Sequence, residues 1–411
     1  MGFLSRAVAE SKAAGSVYER WLQLLESGVK SKAGPAITRD SAFRVSAALA
    51  CMREISQGLA QVPFKLMQDY QDGGLDRKRV ARDHQLYDLL TAKPNEWQSA
   101  FEFMEQLGLH ACLGNAYVFK GMYRGSVAEL IILNPDRVVA KQNADWSKSY
   151  SVRGESGEVM SIPPGQIWHV RGASWDGFLG MDTLSLAKEA LGLSIAMEES
   201  AALLHANGVR PSGVYSVDGN LSPEQHKKLT EWLKREAAGA ASGAPLVLDR
   251  AAKWLSTTMT GVDAQHKEMR DQEVEEVCRF FGVHPSIIGF TGDKANTYAS
   301  AETMENAHKV RTQGRWYKRV QDSANVNLLT DEERRSGLYW KFISNGLMAA
   351  SAKDRGEFYG KALGSGGSPA FMTQDEVRSL EDLDPMGGDA AKLPPTPMQA
   401  AQPTPKDPAN A

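Results

Sequence analysis

Apolar residues recur at steps of three and four through the middle of the chain. Leu186, Ala190, Leu193, Met197, Ala201 and Leu204 trace one face of a helix running from about Met181 to Asn207. Asn207-Gly208 supplies a left-handed cap, and Pro211 forbids the helix from resuming. At about 1.5 Å per residue, this segment is a rod of roughly 40 Å. A second rod runs from Asp263 to Phe281 and is closed by Gly282 and Pro285. Between the rods lies a strand at Gly213–Val217 and a capping box with proline at the first helical position, Ser222-Pro223-Glu224-Gln225. A helix carrying Leu229, Trp232 and Leu233 follows, with strands at Pro245–Asp249 and Lys253–Leu255. This small β-α-β-β unit, with Trp232 and Leu233 as its core, is expected to need a neighbour for stability.

Upstream, the pattern predicts helices at Ser41–Leu59, His84–Leu90 and Ser99–Leu113. Strands are expected at Gln61–Met67, Ala116–Lys120, Leu130–Leu133, Val138–Lys141 and Ile167–Val170. Asp145–Met160 reads as polar and turn-rich. Downstream, a loop at 290–300 leads to a helix from about Ala301 to Ala324. A strand at Leu338–Ile343 and helices at Ser351–Leu363 and Thr373–Leu380 complete the pattern. From Leu383 onward the chain is Pro-, Ala- and Gln-rich, too poor in large apolar groups to fold. Helices and short strands alternate without βαβ spacing, so the fold class is α+β.

A chain of 411 residues predicts two or three domains, and a 42% hydrophobic fraction describes an ordinary globular protein. No apolar run reaches the ~18 residues that cross a bilayer, and MGFLSRAVAESK lacks a signal-peptide pattern, so no membrane partner is expected. Cys51, Cys112 and Cys278 are widely separated and sit in apolar patterns. They read as buried reduced thiols, without a disulfide frame or a cysteine zinc site. A net charge of −3 is too acidic for a protein that grips DNA over its whole surface.

The search for catalytic chemistry is negative. Gly356–Lys361 lacks the spacing and preceding strand of a phosphate loop, and neither His-Glu-x-x-His nor Gly-x-Ser-x-Gly occurs. Ser185-Leu186-Ala187-Lys188 matches the Ser-x-x-Lys of some acylases but reads as helix surface. His169 and His205 read as structural. No enzymatic activity, cofactor or metal is expected.

Two features remain. At about 100° per residue, Arg311, Arg315, Lys318 and Arg319 form a basic helix stripe, with Val310, Tyr317 and Val320 opposite. The stripe is either a solvated face or a surface for phosphate or an acidic neighbour. The second rod, rich in Glu268, Asp271, Glu273, Glu275 and Glu276, suggests ion pairing with it or between copies. The eleven residues of the 290–300 loop exceed the usual two to eight of a helix–helix link.

The order of these pieces resembles the compact portal proteins of long-tailed double-stranded DNA bacteriophages. Ser41–Phe64 (SAFRVSAALACMREISQGLAQVPF) is similar to the family's opening helix and strand. Leu86-Tyr87-Asp88-Leu89-Leu90, Lys93-Pro94-Asn95, Gly114-Asn115-Ala116-Tyr117 and Leu133-Asn134-Pro135-Asp136-Arg137-Val138 follow in order. So do Asn207-Gly208-Val209-Arg210-Pro211-Ser212-Gly213 and Phe281-Gly282-Val283-His284-Pro285-Ser286-Ile287-Ile288-Gly289. Three positions depart from the pattern. His284 replaces a first proline, Gln313-Gly314 replaces a Leu-x-Pro that bends the third helix, and Asp182-Thr183 replaces Ser-Pro.

The resemblance implies a phage portal fold assembled as a homo-oligomeric ring of about twelve copies, closed by head-to-tail contacts. A wing would span 37–180 after a partly mobile lead at 1–36. Stem helix 1 (181–207) and stem helix 2 (257–285) would bracket a small α/β clip at 208–256. A tunnel loop at 286–300 would precede a tunnel helix and return to the wing at 301–350, a helical crown at 351–382 and a disordered tail at 383–411. Lys294, Asn296, Thr297 and Tyr298 would lie nearest a DNA channel. The implied role is a conduit at one capsid vertex, through which terminase packages double-stranded DNA without sequence preference and the genome is later ejected. The implied partners are the terminase large subunit, the major capsid protein or scaffold, and a head–tail adaptor. The implied location is the virion, with assembly in the host cytoplasm. The alternatives are a soluble protein-binding adaptor or a nucleotide-dependent transferase.

Overall fold

The computed structural model describes residues 29–72, 75–154, 157–206, 214–217, 222–224, 227–228, 252–255, 262–290, 298–344, 352–365, 369–380 and 386–393. The chain divides into two compact units, residues 1–61 with 66–340 and residues 62–65 with 341–411.

A short antiparallel pair, β1 (Val29–Lys30) and β2 (Ala36–Ile37), leads into α1 (Arg39–Arg44). Thr38 and Ser41 form a reciprocal cap on α1, and extended Val45 separates it from α2 (Ser46–Gln61). The single helix expected from Ser41 is therefore two. Strands β3 (Phe64–Asp72) and β4 (Leu75–Val80) follow. They form a three-stranded sheet, ordered β13-β3-β4, with β13 (Leu338–Phe342) from much later in the chain. The charged β4, LDRKRV, was not expected; it is an edge strand, where alternating charge is tolerated on the solvent side.

His84 caps α3 (Gln85–Thr91), and Ser99 with Glu102 forms a capping box on α4 (Ala100–Cys112). The α2 and α4 backbones come close because Gly108 lacks a side chain. A Cβ there would sit 2.8 Å from the Cα of Ser56. Strands β5 (Asn115–Tyr123) and β6 (Ser126–Leu133) form a hairpin that β10 (Ile167–Arg171) joins on the other side of β5. Between them lies a second antiparallel sheet of β7 (Val138–Gln142), β8 (Lys148–Arg153) and β9 (Val159–Ile162). The turn-rich reading of 145–160 is thus corrected. Lys148–Arg153 alternates, placing Tyr150 and Val152 inward between polar neighbours, which is the two-residue period of a half-buried strand.

Helix α5 (Thr183–Ala206) is the first rod. The described pieces of the next segment include β11 (Val214–Val217) and β12 (Ala252–Leu255), an antiparallel pair. Helix α6 (Val262–Phe281) is the second rod. Helix α7 (Tyr298–His308), a π-helical turn at Lys309–Gln313 and α8 (Gly314–Asn327) form one continuous run, followed by α9 (Asp331–Arg335).

The main core of the first unit joins α2, the base of α5 and the end of α6 through Cys51, Met52, Ile55, Leu191, Val277, Cys278 and Phe281. Each fully buried side chain of the Leu or Ile type contributes about 1.5–3 kcal/mol. A smaller cluster of Tyr117, Val138, Tyr150, Val152 and Ile167 holds the sheets together. Only part of the face expected on α5 is buried. Ala187, Ala190 and Leu191 are buried, whereas Leu186 is 56% exposed. Apolar residues lie on several sides of this helix, so periodicity does not single out one face.

In the second unit, Phe64 stacks on Phe342 with ring centroids 4.3 Å apart. Helix α10 (Ala352–Ala362) receives Phe371 and Met372 backbone N–H groups at the Ala362 carbonyl, and Phe358 meets Phe371 edge to face. Gly356–Lys361 lies inside α10, not in a phosphate-binding loop. Helix α11 (Gln374–Leu380) holds the Met386 and Gly387 N–H groups on the Asp375 carboxylate, at 2.7 and 2.9 Å. Part of the segment read as unfoldable beyond Leu383 is therefore organised, with a short 3-10 turn at Gly388–Ala391.

Candidate functional site

The bases of the two rods and the α7–α8 run meet at one junction, set by local caps and by hydrogen bonds between distant elements. Asp182 accepts the Leu184 N–H at 3.1 Å and the Ser185 hydroxyl at 2.6 Å, which caps α5. The Asp-Thr pair that departs from Ser-Pro thus starts the helix by other means, and Ser185 is committed to a cap. Thr183 donates its hydroxyl to the Cys112 carbonyl at 2.8 Å, tying α5 to the end of α4. Between them Gly114, at φ +127°, packs so closely on Gly180 that a side chain at Gly180 would collide with the Gly114 carbonyl.

The other rod ends at Gly282, at φ +67°, where the Val283 N–H returns to the Cys278 carbonyl at 3.1 Å. His284 then caps the turn Pro285–Ile288, accepting the Ser286 N–H at 3.3 Å. Histidine in place of proline therefore carries a capping function.

The π turn explains how Gln313-Gly314 replaces a proline bend. Thr312 donates to the Gly282 carbonyl at 2.7 Å, anchoring the turn to the end of α6. Gln313 donates to the Glu54 carbonyl at 2.7 Å, and Tyr317 to the Gly58 carbonyl at 3.0 Å. The absence of a side chain at Gly58 gives Gln313 its place against α2. The Gln313 amide also approaches the His308 Nε2 at 3.3 Å. Burial lowers the pKa of His308, which keeps the ring neutral.

A cavity of ≈570 Å³ opens beside this turn, lined by residues including Cys278, Arg279, Val283, Met304, Arg311 and Thr312.

The predicted basic stripe is not one uniform face. Lys318 pairs with Asp322 at 2.7 Å on its own helix. Arg319 donates to the carbonyls of Arg171 and Gly172 and lies 5.4 Å from the Trp316 ring centroid, so it braces α8 against the end of β10. Burial, then the nearby Arg171, lower its pKa. Arg311 and Arg315 are exposed and have no ion-pair partner among the described residues. Val310, expected opposite the stripe with Tyr317 and buried Val320, is 60% exposed. The wider π turn breaks the 100° arithmetic between 309 and 313. Within the acidic rod, Arg279 pairs with Glu275 at 3.0 Å and with Glu276 at 3.6 Å.

The loop candidates Lys294, Asn296 and Thr297 lie outside the described residues, and Tyr298 is described only as the first residue of α7. Trp232 and Leu233 likewise lie outside them, as do Asn207-Gly208, Pro245–Asp249 and the side chain of His205. His169 is structural. It is buried, with Nε2 3.0 Å from Asn115 Oδ1 and Nδ1 3.3 Å from the Tyr150 hydroxyl. The Asn115 oxygen can only accept, so Nε2 carries the proton and Nδ1 accepts from Tyr150. Burial, then Arg171 and Lys148, push its pKa down to about 3. Sequence reasoning missed Gln313 as an anchor. Its traces were the departure of Gln313-Gly314 from Leu-x-Pro and a polar residue on the side of the helix that also carries Tyr317 and Val320.

Comparison with known proteins gives a consistent result. The family model described as "Phage portal protein" matches residues 46–382. The probable portal protein of Streptomyces phage phiC31 is 25% identical over 370 residues, which cover 87% of this chain and 79% of that protein. The portal protein of Enterobacteria phage HK97 is 26% identical over 362 residues, covering 87% of this chain and 83% of that protein. Among solved structures, a chain of the virion of a native gene transfer agent particle aligns with a TM-score of 0.57 at 22% identity, covering 89% of this chain and 99% of that one. An HK97-family phage portal protein from Corynebacterium diphtheriae aligns with a TM-score of 0.56 at 17% identity, covering 76% and 97%.

Proposed function

We infer the function from one premise: this chain belongs to the phage portal protein family. It is a portal protein of the α+β portal fold. The match across 46–382 carries the reading, because it spans both rods and the segment between them.

We propose that the chain assembles into a closed ring of about twelve copies at one capsid vertex, joined head to tail. One neck of a gene transfer agent particle, computed with C12 symmetry, supports the ring by likeness of fold. Helix α5 supports it physically. Its apolar residues face several directions, and Leu203 is 62% exposed in the single chain. A helix apolar on all sides is stable where neighbours cover it. In this assignment α5 and α6 form the stem, 37–180 the wing, 208–256 the clip with Trp232 and Leu233 at its centre, and 351–382 the crown.

Double-stranded DNA passes through the ring during packaging and ejection. The chain's net charge of −3 suits a conduit, because a salt-dependent grip on many phosphates would stall sliding. Lys294, Asn296, Thr297 and Tyr298 make brief contacts near the axis, and Arg311 and Arg315 supply the remaining positive charge of the tunnel helix. The clip meets the terminase large subunit during packaging and the head–tail adaptor afterwards, while the wing meets capsid protein or scaffold. The protein serves as a structural part of the virion, assembled in the host cytoplasm, and turns over no substrate of its own.

The test is the length of DNA in particles whose residues 293–298 are replaced by a Gly-Ser link. The expected result is intact rings and capsids with shortened or poorly retained genomes. Full-length, stably retained genomes would remove the loop from the conduit.

A further inference from the structure

The loop at 173–180, which leads from β10 into α5, is tightly braced. Asp176 Oδ1 accepts the Phe178 and Leu179 N–H groups at 2.8 Å each, and the Ser174 hydroxyl accepts the Gly177 N–H at 2.9 Å. Arg171 donates to the Gly177 carbonyl, and the Met181 N–H closes the loop on the Ala173 carbonyl at 2.7 Å. Asn115 exchanges two bonds with the Gly180 backbone, at 2.8 and 3.1 Å, and the Phe178 ring is buried. This bracing fixes the side chain that the loop turns outward. Trp175 is 94% exposed, the most exposed large apolar side chain among the described residues. Single apolar residues on a surface are ordinary. A protruding indole on a rigid loop is different, because it brings a large contact area and loses little conformational freedom on binding.

The cavity beside the π turn is a matching hole. Val283, Phe290, Met304 and Ala307 give it an apolar wall, and its volume of ≈570 Å³ lies within the range of small-molecule pockets. Its mouth is open to solvent, because Gly282, His284, Ala307 and Arg311 line it and are exposed. Trp175 stands in solvent and does not fill the cavity of its own chain. On α6, Val274, Val277 and Phe281 turn into the core shared with the base of α5, whereas Glu275, Arg279 and Gly282 line the cavity. At about 100° per residue the two sets lie roughly 130° apart, so the cavity opens on the side of α6 turned away from that core. Charge matches as well as shape. The bonds to the Asp176 side chain fall on Oδ1, so Oδ2 has no hydrogen-bond partner among the described residues. The Phe178 and Leu179 N–H groups hold this carboxyl below the usual range, so it is ionised at neutral pH. At the cavity mouth Arg311 has no ion-pair partner among the described residues, while Arg279 is engaged by Glu275 and Glu276.

We propose that Trp175 of one copy enters the cavity of the next copy in the ring, with Asp176 pairing to that copy's Arg311. This rests on the ring proposed above and adds the contact that joins neighbours. A knob and a hole at separate places on one surface form a heterologous contact, which repeats from copy to copy until the ring closes. Burying the indole takes about 150–250 Å² out of water. The seat lies where α6 meets the π turn, so each copy wedges the junction of its neighbour. Arg315 then remains as an exposed cation of α8.

The experiment puts a photoreactive benzophenone amino acid in place of Trp175 in the full-length chain, which keeps an aromatic knob. The assembled protein is illuminated, denatured and mapped by peptide mass. Cross-links should run from the loop to 283–290 or 304–312 of another copy, seen as covalent dimers and higher multiples of the chain mass. The same label in place of Trp146, which is 78% exposed on a different turn, should give no cross-link to those segments. Rings that form but link the loop elsewhere, within one copy or not at all would overturn this contact and leave the ring standing. An unaltered chain that forms no ring would overturn the ring itself. A second measurement needs no label. Rings of Trp175→Ala or Arg311→Glu should fall apart on dilution at a concentration at least about tenfold higher than unaltered rings, and Trp146→Ala rings at the same concentration as unaltered ones. Trp175→Ala rings as persistent as the unaltered ones would also overturn the proposal.

Discussion

Helix α2 and helix α5 show two ways in which a chain leaves a helix. Along α2, Ala47, Ala48, Cys51, Met52, Ile55, Ser56 and Leu59 are all buried, and α4, α6 and the Gln313 side chain complete the cover. Along α5, burial among the described side chains lies at the base, at Ala187, Ala190, Leu191 and Gly192, and Glu198 to Ser200, Ala202 and Leu203 are exposed. The first helix is finished by its own chain. The second carries apolar surface that its own described residues do not cover, and in the proposed ring that surface would be where the next copy packs. Folding and assembly should therefore respond to different substitutions.

The largest effect is expected on the self-contained side. Trp168 is fully buried and donates its indole N–H to Ser323 at 3.0 Å. Trp168→Ala should cost about 3–5 kcal/mol of folding stability, read from the shift in denaturant midpoint. A loss below ~1 kcal/mol would mean that the sheets are not held as described.

Acid should act on the same side. The pKa values of His169 and His110 lie near 3 and 4 because burial disfavours their charged forms, with Arg171 and Arg39 adding to it respectively. Unfolded histidine titrates near 6.5, so between that value and the folded values the unfolded chain binds more protons. The stability these rings contribute is fully present above pH 6.5 and is lost as pH falls toward 4. Each contributes a slope of at most about 1.4 kcal/mol per pH unit. Melting followed from pH 7 to pH 4.5 should show that decline, and His169→Gln should flatten it.

A smaller effect is expected at the junction. Thr312→Val removes the hydroxyl bond to the Gly282 carbonyl and should cost about 1 kcal/mol, detectable as earlier hydrogen exchange at the end of α6. Unchanged exchange there would show that the π turn is not anchored to the rod.

These two helices also show what the sequence makes legible. Helix starts were readable at His84, Ser99 and Thr373, where a side chain does the capping locally, whereas the Thr330 capping box that starts α9 was passed over. The glycine at the end of α6 and the strands β5 and β10 were readable as well. The strands β8 and β9 were hidden because Ser and Lys surround Tyr150, and small polar residues resemble turns. The break at Val45 has no proline or glycine to announce it. The π turn at 309–313 was invisible because a periodicity argument assumes one constant pitch, and that assumption also misplaced Val310. The α5 face was only partly legible because a helix with apolar residues on several sides carries no single stripe. Gln313 and the Cys51–Cys278 pair arise from contacts across more than two hundred positions, which no local pattern encodes.

The smallest effect on folding should come from the exposed end of α5, and it separates the two helices most cleanly. Leu203→Asp should change folding stability by no more than about 0.5 kcal/mol, as for other exposed positions. Native mass measurement of the unaltered chain beside this variant tests the central claim most directly. The account predicts a closed ring of about twelve copies for the unaltered chain and a folded, unassembled protomer for Leu203→Asp. An unaltered chain that stays monomeric, or a variant ring of unchanged mass, would contradict it.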